Sequence, residues 1–155
     1  MMAISMERLL LTLWVGSLWA IGYIAVPMAF ATLGDVTIAG NYAGKLFSAV
    51  NLLGLGCGAV LLITKLVNHG RPALTLWRFW TISAMLLLTL IFAYYLQPEI
   101  AAIKQVAWQG DAALAERFSL LHLISKNIYM TISLLGLAVT LTADKSPEQV
   151  SFSNG

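Results

Sequence analysis

Four apolar runs, each about 22 residues long, limit what this chain can fold into. At 1.5 Å per residue, such a run forms a helix of about 33 Å, which is enough to cross the roughly 30 Å hydrocarbon core of a bilayer. Hydrophobic residues make up 59% of the chain and charged residues 10%, whereas a soluble domain carries about 25% charged residues. The four runs are residues 9–30, 46–67, 76–97 and 119–141.

These runs predict an all-α integral membrane protein, a four-helix bundle. One membrane domain is expected over residues 1–143, with a polar tail at 144–155. The predicted surroundings are a lipid bilayer, and the absence of a basic run argues against a nucleic-acid partner. Cys57 is the single cysteine and lies inside an apolar run, so it has no disulfide partner within the chain and is interpreted as a packing residue.

Turn and cap signals divide the runs. Pro27 lies near the end of the first run and predicts a kink there. Asp35 is predicted to cap a helix leading into the second run, and Asp111 a helix leading into the fourth. Because helical spacing of apolar residues continues past Pro98, we expect a short helical hairpin between the third and fourth runs.

The fourth run carries a polar stripe. Residues spaced three and four apart share one side of a helix. An ionisable group in the hydrocarbon costs at least about 2.5 kcal/mol. We therefore expect the stripe, with its histidine and lysine, to face other helices or water rather than lipid. Its members are His122, Ser125, Lys126, Tyr129, Ser133, Gly136 and Thr140.

Neighbouring runs add candidate binding residues. Asn51 shares a helix face with the Gly54 and Gly58 pair, whose G-x-x-x-G spacing lets another helix approach closely, and intrachain packing is its expected use. Trp19 and Tyr23 lie on one face of the first run. The full set of candidates is Trp19, Tyr23, Asn51, His122, Ser125, Lys126, Asn127 and Tyr129.

Basic residues in the loops predict the orientation, because cytoplasmic loops are richer in lysine and arginine. The richer side should be cytoplasmic, which places both termini in the cytoplasm and the protein in the inner (plasma) membrane. That side carries Arg8, Lys65, Arg71, Arg78 and Lys145, against Lys45, Lys104 and Arg117 on the other.

Several segments together resemble a known family. They are WVGSLWAIGYIAVP in the first run, AGNYAGKLF entering the second, QPEI after the third and FSLLHLISKN opening the fourth. In order and spacing they resemble the transmembrane-protein-205-like family, domain of unknown function 4149, over about residues 9–143. The resemblance implies a four-helix membrane protein with a fold similar to copper-resistance-D-like and haem-associated proteins. Eukaryotic members are associated with resistance to platinum drugs, which implies export.

Three hypotheses for function remain open. The first is transport or binding of a small solute or metal through the polar site. His122 is the only candidate metal ligand within that site, and no acidic residue lies within a run, so an anionic or neutral substrate, or an oligomer, suits the sequence better than a cation does. The second is a cofactor role, with His122 as a haem ligand or a quinone near the first-run aromatic residues.

The third hypothesis is an accessory or scaffold subunit, either of a larger membrane complex or of a homo-oligomer. In that case the stripe only sets how helices pack. Interhelical polar pairs contribute about 0.6 kcal/mol each, which is enough to specify helix packing without a ligand. The sequence shows neither a serine, histidine and acid constellation nor a zinc motif. A non-enzymatic role is therefore favoured.

Overall fold

The computed structural model describes residues 2–106 and 110–142 and shows them to be helical, without strands. Four helical segments are long and apolar enough to cross a membrane: Ser5–Thr32, Val36–Asn68, Trp77–Lys104 and Ala112–Leu141. The predicted all-α, four-span architecture is confirmed, and the chain is a multi-pass membrane protein. The predicted tail at 144–155 lies outside the described residues.

Within residues 2–106 and 110–142, six α-helices and two π turns make up these spans, and a 3-10 turn joins the second span to the third. The first span consists of α1 (Met2–Ala20), a π turn (Ile21–Ala25) and α2 (Val26–Thr32). The second is α3 (Val36–His69), followed by a 3-10 turn (Arg71–Thr75). The third consists of α4 (Trp77–Ile91), a π turn (Phe92–Leu96) and α5 (Gln97–Lys104), and the fourth is α6 (Ala112–Leu141).

The spans alternate in direction, so the bundle has two distinguishable ends. We call the end where α1 begins and α6 finishes the proximal end. The connections from α2 to α3 and from α5 to α6 lie at the distal end.

Trp14 of α1 is fully buried in the core and packs against α3. A Cβ atom at Gly54 would overlap its indole nitrogen, and one at Gly58 would lie 3.0 Å from its ring. The predicted intrachain use of this glycine pair is confirmed, since both glycines make room for one tryptophan of the same chain.

Two of the four prolines, Pro27 and Pro98, lie within spans that continue past them. Pro27 and Pro98 each follow a π turn by two residues. Proline lacks an N–H and its ring collides with the carbonyl four residues earlier, and a wider turn at that point relieves the conflict. The distortion predicted at Pro27 therefore takes the form of a π turn, and the prediction that Pro98 does not end its helix is confirmed.

Two aspartates start the helices that leave the distal end, as predicted. The Asp35 carboxylate accepts hydrogen bonds from the amides of Thr37 and Ile38 at 2.7 and 2.9 Å. Asp111 does the same for the first turn of α6, at 2.9 and 3.2 Å. The arms of the predicted hairpin are continuous with the third and fourth spans, while residues 107–109 at its tip lie outside the described residues.

An ionic cluster ties the four spans together at the proximal end. Oε1 of Glu7 lies 3.2 Å from Nζ of Lys65 and 3.0 Å from Nη2 of Arg78. Arg78 also donates a 3.1 Å hydrogen bond to the carbonyl of Val139. Both cations are buried, with 2% and 7% of their surface exposed. Lys65 and Arg78 were expected as loop charges, whereas they belong to α3 and α4 and pair with Glu7.

Candidate functional site

The polar stripe of α6 divides into a buried part and an exposed part. Ser125 and Tyr129 are buried, whereas His122, Lys126 and Asn127 are exposed. Ser125 and Tyr129 are therefore turned inward as predicted, whereas the neighbouring helices do not cover His122 and Lys126. The physical reason is the divergence of the helices at the distal end, described below.

Tyr129 bridges α6 to the first span at its π turn. Its hydroxyl donates a 2.6 Å hydrogen bond to the carbonyl of Leu18. The backbone amide of Gly22 in turn points to the hydroxyl oxygen of Tyr129. In a regular α-helix those two backbone groups bond to each other. The tyrosine thus binds the first span where it departs from α geometry, and the absent side chain at Gly22 leaves room for the phenol ring.

Asn51 is buried and belongs to a half-buried polar contact between α3 and α5. Its Nδ2 donates to Oε1 of Gln97 at 3.3 Å, and Nε2 of Gln97 donates to the carbonyl of Gly44 at 3.2 Å. The Ser48 hydroxyl lies 3.0 Å from the carbonyl of Gly44 and 3.3 Å from the same glutamine oxygen. Gln97 was not among the candidates from the sequence, although a glutamine next to a proline at the end of an apolar run indicates a polar contact between helices. Asn51 therefore joins helices in this chain.

Basic groups converge near the distal end. His122 stacks on Phe118, with ring centroids 6.0 Å apart and ring planes 10° apart. Lys104 and Lys126 both lie close enough to act electrostatically on the imidazole. Lys104 donates a 3.1 Å hydrogen bond to the carbonyl of Gly40. This lysine was treated as a loop charge in the sequence analysis, and its partner is 64 residues away.

The exposure of His122 shows that the bundle is open on this side. His122 precedes Tyr129 by two helical turns, so both point to the same side of α6. Tyr129 is covered there by the first span. After the π turn of the first span, α2 packs on α3, whereas α6 packs on α1, α4 and α5. The space between α2 and α6 is the distal cleft, comprising Tyr23, Lys104, His122 and Lys126, with Tyr129 at its base.

An exposed aromatic pair forms one wall of the cleft. The rings of Trp19 and Tyr23 lie 4.7 Å apart, and 37% and 44% of their surfaces are exposed. Tyr23 also lies 6.3 Å from Tyr129, which connects this wall to the base. Of the eight candidates from the sequence, the structure brings four close to the opening: Trp19, Tyr23, His122 and Lys126. Asn127 lies about 160° around α6 from Tyr129, on the opposite side.

A family model described as a domain of unknown function, DUF4149, matches residues 9–109. The chain belongs to this family. The match covers the first three spans and Lys104 but ends before α6, so the histidine and second lysine of the cleft lie outside it. No curated protein and no solved structure gives a significant match to this DUF4149 chain.

The sequence offered His122 as the candidate metal and haem ligand of this DUF4149 chain. Among residues 2–106 and 110–142, no three histidine, cysteine or acidic side chains lie together. His122 instead has two lysines as its charged neighbours, and Cys57 is buried in the core. A haem on His122 stays a prediction.

Proposed function

We propose that this DUF4149 protein is a non-enzymatic membrane protein that binds an anionic ligand in the distal cleft, as part of solute handling. The observation that carries the proposal is the convergence of Lys104, His122 and Lys126 at one opening. Glu99, the carboxylate closest in sequence to Lys104, is paired with Arg117. A site with this charge favours an anion by Coulomb attraction, which is stronger beside a membrane than in bulk water.

The interior polar residues are assigned a structural role in this proposal. The hydroxyl of Tyr129 and the amide of Asn51 have partners within the chain, and Ser133 donates to the carbonyl of Tyr129 at 2.8 Å. Groups bonded in this way hold helices in place. The ligand contacts are therefore assigned to the cleft rather than to a polar route along the bundle axis.

The proposed setting is the inner membrane with the proximal end in the cytoplasm. The proximal ends of the spans and their flanks carry five basic residues against three at the distal ends, counting those in helices as well as those in loops. The distal cleft would then face the outside of the cell. A ligand site there suits export, which the resemblance to transmembrane-protein-205-like proteins also implies.

Equilibrium binding of radiolabelled inorganic phosphate to the detergent-purified protein tests the proposal. Saturable binding is expected in the wild type and at least a tenfold loss of affinity in Lys104→Gln/Lys126→Gln, because two of the three basic groups are removed. Lys45→Gln is the matched control, since Lys45 is an exposed lysine of α3 and not part of the cleft. Absence of saturable binding, or equal affinity in all three proteins, would overturn the proposal.

Flux in proteoliposomes then tests the transport step. His122→Ala is expected to slow phosphate uptake, and unchanged uptake by a normally folded variant would remove transport from the proposal while leaving binding.

An accessory role is the second candidate function, and Asn127 favours it. Its exposed amide points away from the bundle, and a polar amide facing lipid costs free energy unless another chain supplies a hydrogen bond. Cross-linking of an Asn127→Cys, Cys57→Ala variant in native membranes is expected to capture a neighbouring subunit or a second copy. Cross-linking no stronger than at an exposed control position such as Leu134→Cys would argue against this role.

A further inference from the structure

We infer that the occupant of the distal cleft is the phosphate headgroup of an anionic phospholipid, which enters sideways from the leaflet at the distal end. The inference rests on the proposed function for the basic cluster that both use, and it names the class of ligand. Its basis is the depth of the basic groups, the direction in which their side chains point, and the aromatic wall beside them.

The depth of the basic groups matches a headgroup. At 1.5 Å per residue, His122 and Lys126 lie about 5 and 10 Å beyond residue 119, where the apolar run of α6 begins. Both are exposed. Side chains on a helix lean toward its N-terminus, and the N-terminus of α6 is at the distal end. The imidazole of His122 and the ammonium group of Lys126 therefore reach upward to the level at which phosphate groups lie.

Lys104 approaches the same level from another helix. It is the last residue of α5, and its Nζ is held 3.1 Å from the carbonyl of Gly40. The ammonium group has three donors, so two remain for an incoming ligand. Basic pockets between membrane helices are typical binding sites for lipid phosphates.

The side of the cleft suits an acyl chain. The exposed Trp19 and Tyr23 pair lines it. Trp19 lies near the middle of the first span, below the basic groups, where its ring offers an apolar surface to an acyl chain. A free anion would use only the basic groups. A phospholipid would contact the basic groups with its phosphate and the aromatic pair with an acyl chain, so it explains both features of the cleft.

Quenching of tryptophan emission by brominated lipids tests the inference. The full chain is reconstituted in phosphatidylcholine vesicles that contain an equal fraction of dibrominated phosphatidylglycerol or dibrominated phosphatidylcholine. The chain has five tryptophans, so the signal of Trp19 is taken as the difference between wild type and Trp19→Phe. The anionic lipid is expected to quench Trp19 preferentially, with a preference that falls on the order of fivefold for each lysine removed, because one basic group near a charged headgroup contributes about 1 kcal/mol.

Matched variants decide the outcome. Lys104→Gln/Lys126→Gln should lose the preference, whereas Lys104→Arg/Lys126→Arg and Lys45→Gln should keep it. Equal quenching by the two lipids in the wild type, with phosphate binding intact, would overturn the lipid inference and leave the proposed function standing. Equal quenching without phosphate binding would overturn both. A preference that survives in the glutamine variant would also overturn the inference, because the lysines would then not be its cause.

Discussion

Replacing Glu7 with glutamine tests the ionic cluster at the proximal end. The substitution keeps the size of the side chain and removes its charge. Glu7 lies within 3.2 Å of Lys65 and 3.0 Å of Arg78, both of which are almost fully buried. Two buried cations would then face a neutral amide, and the lost attraction would no longer offset the cost of taking them out of water.

The expected loss is about 3 kcal/mol of unfolding free energy. Removing one partner of a buried ion pair costs about 3–5 kcal/mol, and the lower end applies because 23% of the Glu7 side chain is exposed and Arg78 keeps its bond to Val139. For a chain of this size, 1 kcal/mol corresponds to a shift of about 2–4 °C. The melting temperature should therefore fall by about 6–12 °C.

The buried Cys57 gives a direct assay for this change. It is the only cysteine and is 5% exposed, so a fluorogenic maleimide reacts with it only when the bundle opens. The matched control is Glu99→Gln, which breaks the exposed pair with Arg117 and should cost at most about 1 kcal/mol. A Glu7→Gln variant that melts with the wild type, or together with Glu99→Gln, would refute the assignment of the cluster as a stabilising contact.

Three further predictions use the same melting assay or exchange measurements. Tyr129→Phe should cost about 1 kcal/mol, as interhelical hydrogen bonds in membranes do, and no change in melting temperature would mean that the bond to the first span contributes nothing. Gly54→Ala should cost about 1–3 kcal/mol because the new methyl group overlaps Trp14, whereas Gly56→Ala, with open space around it, is the control that should melt at or above the wild type. Asp111→Ala should cost about 1 kcal/mol and speed amide hydrogen exchange in the first turn of α6, and unchanged exchange there would contradict its role as a cap.

The spans and caps could be predicted because their causes are local. Twenty or more apolar residues in sequence must become a helix in a bilayer, since every backbone group has to be satisfied there. Asp35 and Asp111 each precede a helical pattern, and a cap needs only the two or three residues that follow it. The use of Gly54 and Gly58 within the chain could also be inferred, although their partner Trp14 could not.

The ionic cluster and the cleft depend on long-range contacts that periodicity does not contain. Lys65 lies at the end of an apolar run, where the sequence predicts an exposed charge. Its partner Glu7 is 58 residues away, so the sequence pattern does not reveal the contact. His122 and Tyr129 have the same helical phase, so the sequence assigns them one environment. Only the position of the neighbouring span distinguishes the exposed histidine from the buried tyrosine.

Pro27 connects the packing of the bundle to the opening of the cleft. The π turn before it changes the direction in which the first span continues, and α2 packs on α3 rather than along α6. The same turn presents the carbonyl of Leu18 to Tyr129, which fixes α6 to the first span below the cleft. One local distortion thus closes the bundle at Tyr129 and leaves it open at His122, so the proposed ligand site follows from a proline in another helix.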